Sequence, residues 1–163
     1  MSQSNTKIVT FKSRRYTNAT SWMHVIAPKV GPLGFSPRVV VQTVREKTTD
    51  WDGTKVQIQL TINTSQQKIE LVEVKPSTSS YIIQSLKEPV IKEKEITHNG
   101  NLTLQEVIEI ARKTLHKSRS KTLSGRVLEI LGTCLSVGCN VEGECPRNIQ
   151  EHIRNGMLAI PEQ

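Results

Sequence analysis

No run of apolar residues in this chain approaches the roughly 20 that a membrane-spanning helix requires. The first residues, MSQSNTK, carry no apolar stretch of the signal-peptide kind. Both absences lead us to expect a soluble, intracellular protein. Cysteine is scarce: Cys134, Cys139 and Cys145 are too few and too odd in number for a disulfide framework and read as reduced thiols. No GxSxG elbow, Walker loop or metal-protease helix occurs, so the motifs that would announce hydrolysis are missing. His24, His98, His116 and His152 are scattered and read as surface residues, and no enzyme is expected. A zinc site built from Cys134, Cys139, Cys145 and His152 would lack any CxxC pair, and small buried or incidental thiols are the simpler reading. No metal or cofactor is therefore expected. Internal repeats and low-complexity blocks are also lacking.

What is present is enough apolar material for one domain or two small ones: 36% of 163 residues are hydrophobic. KIVTFK, residues 7–12, suits a short strand, and SRRYTNATSW after it reads as a polar, basic connection. APKVGPLGFSP, residues 27–37, reads as a stiff, exposed, uncharged elbow. Ser36 as N-cap and Pro37 at the first position start a helix over about 37–48 that buries Val40, Val41 and Val44. KVQIQLTI alternates with period two, so Val56, Ile58, Leu60 and Ile62 share one strand face. NTSQQ makes a hairpin into KIELVEV, whose less regular alternation admits a bulge. A further helix follows Pro76, carrying Ile82, Ile83 and Leu86.

EPVIKEKEITHNGN replaces periodicity with mixed charge, proline and glycine, and reads as a linker over residues 89–101. Beyond it Thr103 and Glu106 form a capping box. Leu104, Val107, Ile108, Ala111 and Leu115 then make one buried helical stripe. A second helix carries Val127, Leu128, Leu131 and Leu135 and ends at Gly138; a third covers about 147–155 before Gly156. The expectation is an α+β chain of two small domains: 1–88, an α/β sheet-and-helix domain, and 102–163, a helical bundle.

The net charge of +7 suggests a polyanionic partner, with RNA, DNA and an acidic membrane surface all admissible. Residues 1–89 hold 12 basic and 6 acidic groups, and residues 90–163 hold 10 and 9. Yet Arg112, Lys113, Lys117, Arg119, Lys121 and Arg126 fall in fifteen residues without a single acid. Long cations there reach separate phosphates, and Ser118, Ser120, Thr122 and Ser124 add hydroxyls; a merely solvated charge run is the competing reading. In the next helix Gly132, Thr133 and Ser136 put small groups on neighbouring faces. A helix-interior glycine costs about 1 kcal/mol relative to alanine. Either close packing of another helix or approach to an RNA minor groove would offset it.

APKVGPLGFSP, DWDGTKVQIQLTI, IIQSLKEP, THNGNLTLQEVIEIAR and LSGRVLEILGTCLSVGCNVEG, in this order and at these spacings, resemble the stalk-base protein of the large ribosomal subunit. This is the universal family numbered eleven in bacteria and twelve in eukaryotes. The likeness covers about residues 22–160 and is to the eukaryotic cytosolic form, with a tail that bacterial forms lack. The resemblance implies a cytoplasmic structural constituent of the large subunit. Its helical C-terminal domain would bind the rRNA of the GTPase-associated centre, with Arg112, Lys113, Lys117, Arg119, Lys121, Thr122, Ser124 and Arg126 on the RNA-facing loop. Gly132, Thr133 and Ser136 match the small-residue RNA-facing helix. Pro28, Lys29, Val30, Gly31 and Pro32 match the elbow that faces rRNA and the incoming factor, on a hinged, mobile platform for translational GTPases. The neighbouring stalk protein that carries the acidic stalk proteins is an implied partner. The chain departs from the family pattern over Ser13 to Trp22, where the family has a glycine-rich turn, and at Trp22, Met23 and His24, where small residues are common. Arg14 and Arg15 in that stretch either add an rRNA contact or keep the loop soluble. The alternative is a relative recruited to an RNA or protein outside the ribosome.

Overall fold

The computed structural model describes residues 6–14, 20–51, 54–88 and 98–161. The chain divides into two compact units, Met1–Ser77 and Thr78–Gln163, and its mixed α+β character is as expected.

In the first unit, strands β1 (Thr6–Arg14), β2 (Lys55–Asn63) and β3 (Lys68–Pro76) form an antiparallel sheet in the order β1-β2-β3. Strict alternation puts Val56, Ile58, Leu60 and Ile62 of β2 in the core. The bulge expected in β3 is there: Leu71 faces Thr61 and Ile69 faces Ile62, leaving Glu70 as the extra residue. Its carboxylate accepts a hydrogen bond from Asn63 Nδ2 at 2.9 Å. Helix α2 (Pro37–Lys47) buries Val40, Val41 and Val44 as expected, although the Ser36 hydroxyl makes no capping bond.

The stretch before the elbow differs from expectation. Helix α1 (Thr20–Val30) starts inside the supposed polar connection and runs through Pro28 into a 3-10 turn, Gly31–Leu33. Trp22, Ile26 and Val30, spaced four apart, are all buried. That spacing makes one face of a helix, and its burial against Phe11 and the sheet offsets the hydrogen bond that Pro28 cannot donate. The Trp22 and Phe11 rings meet edge to face, 6.1 Å between centroids. Residues 15–19, with Arg15, lie outside the described residues.

The second unit holds α3 (Thr78–Leu86), β4 (Asn101–Leu102), α4 (Leu104–Thr114), α5 (Leu123–Val137), β5 (Asn140–Val141) and α6 (Pro146–Arg154). The two short strands pair in parallel. Ile82 of α3 is fully buried in one cluster with Val107, Ile108, Ala111, Val127, Ile130 and Leu131. The division expected after residue 88 therefore falls after Ser77, because α3 lays its apolar face on α4 and α5. Residues 89–97 of the expected linker lie outside the described residues. Its two feet, however, are tied within the second unit. Glu88 accepts from Gly100 N at 2.8 Å and pairs with His98 Nδ1 at 2.5 Å, so both flanks of the expected linker belong to the second unit.

Candidate nucleic-acid interface

The Thr103–Glu106 capping box starts α4: Glu106 N donates to Thr103 Oγ1, and Thr103 N to the Glu106 carboxylate. Val107, Ile108, Ile110, Ala111 and Thr114 fix the buried face. After Thr114 the chain tightens into a 3-10 turn, Leu115–Lys117, which carries Leu115 off the stripe and leaves it 37% exposed, contrary to expectation. Arg112, Lys113, Lys117, Arg119 and Lys121 are all exposed along this helix end and the loop behind it. The Lys117 ammonium lies 5.9 Å from the centre of the Tyr81 ring, a cation–π distance.

Arg126 does not belong with them. It is 6% exposed, and its guanidinium donates to Thr114 Oγ1 (3.1 and 2.9 Å), Thr78 Oγ1 (3.0 Å) and Glu129 Oε2 (2.6 Å). The side chain joins α3, α4 and α5. Its position at the start of a helix behind a cationic loop resembled a continuation of the patch, whereas Glu129 one turn later was the sign of an internal partner. The Arg126 hydrogen bond, with a smaller contribution from Ser118, holds the Glu129 carboxyl below its ordinary range.

The hydroxyls expected to meet phosphates are largely used in shaping the loop. Ser118 Oγ donates to Glu129 Oε2 at 2.9 Å and accepts from Ser120 N at 2.8 Å. Ser120 Oγ donates to Thr122 O at 3.2 Å, and Thr122 caps α5 by accepting from Gly125 N at 3.2 Å. Ser124 is half-buried in the first turn. Gly125, which carries no signal in the sequence, makes room for the loop: a Cβ would stand 2.0 Å from Ser120 Oγ and 3.0 Å from Ser120 Cβ, so the Ser120 side chain would have to shift. The loop folds down onto the helix start through that gap.

Helix α5 buries Leu123, Val127, Ile130, Leu131 and Cys134. Leu135, expected inside, is 39% exposed. It shares the outer face with Gly132 and Ser136, which are exposed, and with half-buried Thr133. Thr133 Oγ1 donates to Glu129 O and Ser136 Oγ to Thr133 O, so both hydroxyls keep lone pairs free to accept. The nearest atom to a Cβ on Gly132 would be Gln150 Nε2 at 3.6 Å, an ordinary van der Waals separation. Packing of α6 does not demand a glycine here. Gly138, at φ +94°, closes the helix in the left-handed conformation that favours glycine.

In the first unit Pro28, Lys29, Gly31 and Pro32 are exposed, while Val30 is fully buried and is withdrawn from the factor-facing set as a core residue. Lys29 Nζ donates to Thr10 O at 2.6 Å, tying the elbow to β1. Gly34, at φ +80°, turns the chain from the 3-10 turn into α2. Among the described residues no group of three histidine, cysteine or acidic side chains is placed to hold a metal ion. The hydrogen bond with Cys139 and burial push the Cys134 thiol well above its ordinary range, so it is no nucleophile. Among the described residues no helix is long and apolar enough to cross a membrane.

Residues 74–141 match the family described as "Ribosomal protein L11, RNA binding domain", a span that takes in α3 and all of α5. Large ribosomal subunit protein uL11A of Schizosaccharomyces pombe is 45% identical over 141 residues, covering 85% of this chain and 84% of its own. Large ribosomal subunit protein uL11z of Arabidopsis thaliana is 44% identical over 141 residues (84% and 83%). Large ribosomal subunit protein uL11 of Dictyostelium discoideum is 46% identical over 143 residues (86% and 84%). On a likeness of this extent the chain belongs to the uL11 family, a structural, non-enzymatic constituent of the large ribosomal subunit that carries the family's RNA-binding domain.

Proposed function

We propose that the second unit clamps the rRNA of the GTPase-associated centre at the stalk base, and that the first offers translational GTPases a docking platform. The observation that carries this reading is Gly132: a glycine inside a 15-residue helix, on its exposed side, with no protein atom that an alanine would displace. Its cost of about 1 kcal/mol is then offset by a ligand that needs the backbone bare. A ribose at the shallow minor groove is such a ligand. Thr133 and Ser136, with their protons directed into the helix, accept from 2′-hydroxyls, which DNA lacks. Arg112, Lys113, Lys117, Arg119 and Lys121 supply the sequence-independent part by neutralising phosphates and releasing counterions.

In the first unit Pro28, Gly31 and Pro32 present an exposed edge whose backbone is held by the buried Val30 side chain, the Lys29–Thr10 bond and two internal hydrogen bonds, Gly34 N to Gly31 O and Phe35 N to Val30 O. A partner that docks there orders little that is not already ordered. The neighbouring stalk protein that carries the acidic stalk proteins is the expected assembly partner, on family grounds alone.

Reconstitution of large subunits depleted of this protein tests both roles together. Wild-type chain should co-sediment stoichiometrically and restore factor-dependent GTP turnover. Pro28→Ala with Pro32→Ala should co-sediment equally well and restore turnover poorly. Loss of co-sedimentation with normal turnover per bound copy would reverse the assignment of the two surfaces.

A further inference from the structure

We infer that the hydrogen bond between Ser118 and Glu129 positions the cationic loop 117–121 for RNA, so that an acidic residue promotes the binding of a polyanion. The inference rests on the reading of that loop as an rRNA contact.

Backbone bonds hold only the two ends of residues 118–122, Ser118 N to Leu115 O and Arg126 N to Thr122 O; what orders the middle is a chain of side-chain bonds that begins in the core. Thr114 and Thr78 fix the Arg126 guanidinium, and Arg126 fixes Glu129 Oε2. The same oxygen accepts from Ser118 Oγ, which in turn accepts from the Ser120 amide. Ser120 reaches back to Thr122 and rests in the gap left by Gly125. Arg119 and Lys121 are carried by this scaffold without being part of it. Glu129 is itself 38% exposed, so its negative charge is felt at the surface on which phosphates would lie.

The two roles of Glu129 have opposite signs. As a bare charge beside a phosphate-binding surface it weakens binding, and its removal would tighten it. As the anchor of the loop it spares the RNA the ordering of Arg119 and Lys121, and its removal weakens binding. Ser118 carries no charge, so its loss reports on the anchor alone.

The test is binding of the full chain to a transcript of the GTPase-associated-centre rRNA over a salt series, for wild type, Ser118→Ala, Ser118→Thr, Glu129→Ala and the double alanine variant. Loss of the tie should lower affinity about tenfold in Ser118→Ala and by a smaller factor in Glu129→Ala, where removal of the negative charge offsets part of the loss. The double variant should be no weaker than either single one, Ser118→Thr should bind as wild type does, and the salt slope should stay constant because every cation is retained. Hydrogen exchange gives a readout without RNA: the Ser120 amide should exchange faster in Ser118→Ala, while the amides in the middle of α4 and α5 keep their wild-type protection. If Glu129→Ala fails to fold, Ser118→Ala and the Ser120 amide still decide. Tighter binding by Glu129→Ala, or wild-type binding by Ser118→Ala, would overturn the inference. So would additive effects of the two substitutions, which would make Ser118 a direct RNA contact. Wild-type chain that fails to prefer this RNA would instead bring down the functional reading on which the inference stands.

Discussion

Arg126→Met separates a structural arginine from an RNA-binding one. Methionine keeps most of the apolar stem and removes every donor. Two threonine hydroxyls lose a donor, at about 1 kcal/mol each, and a charge-assisted bond to Glu129 is lost, at about 1.5–3 kcal/mol. Relief from burying the guanidinium acts in the opposite direction. The stranded partners are easily satisfied: Thr114 Oγ1 still donates to Ile110 O at 2.6 Å, and Glu129 is exposed enough to take up water. The balance is a loss of about 2 kcal/mol, which for a unit of this size is about 10 °C in melting temperature. Urea unfolding of the full chain followed by circular dichroism measures it, and RNA binding below the transition supplies the second reading. At that temperature the dependence of affinity on salt should match wild type. If Arg126→Met unfolds like wild type while its salt slope shallows by about one phosphate contact, the guanidinium reaches RNA and its assignment as an internal bolt is wrong.

Three further outcomes are expected. Gly132→Ala should raise stability by up to about 1 kcal/mol, because the new methyl fits beside Gln150, and should weaken rRNA binding; unchanged binding would remove α5's outer face from the interface. Arg119→Ala with Lys121→Ala should leave the melting temperature alone and shallow the salt slope by roughly 0.7–0.9 per charge removed, and an unaltered slope would move the phosphate contacts elsewhere. For pH, the Glu129 carboxyl is held below its ordinary value by Arg126 and Ser118. Its contribution is therefore complete above about pH 4.3 and is lost as pH falls through the lower folded value. The stability gap between wild type and Glu129→Gln should close on acidification below that pH, and a gap that persists to about pH 2 would show that pairing of the ionised carboxylate does not contribute.

Elements whose pattern is local are legible in the sequence. The β2 alternation, a bulge somewhere in KIELVEV, the α2 start at Ser36–Pro37 and the Thr103–Glu106 box each depend on residues a few positions apart, and each is found. Features decided by tertiary choice are not. Helix α3 has an apolar face in either domain scheme, and only the cluster around Ile82 shows which core it joins. Helix α1 was masked by Pro28 and Gly31, although Trp22, Ile26 and Val30 carry its period. In the interface, exposure of the cations followed from composition, while burial of Arg126 did not. An arginine reads as basic wherever it stands until the partners that take its five donors are known. Gly125 had no signal at all, since the room it makes is filled by Ser120 lying across it.

The most direct test of the central claim is binding of the full chain to GTPase-associated-centre rRNA, against a shuffled RNA of equal length and against the same sequence made as DNA, at several salt concentrations. Strong preference for the native RNA that persists at high salt, with a slope set by Arg112, Lys113, Lys117, Arg119 and Lys121, is the predicted result. Weak binding, equal for all three and abolished by salt, would mean that the cationic loop and the bare face of α5 form no specific rRNA site.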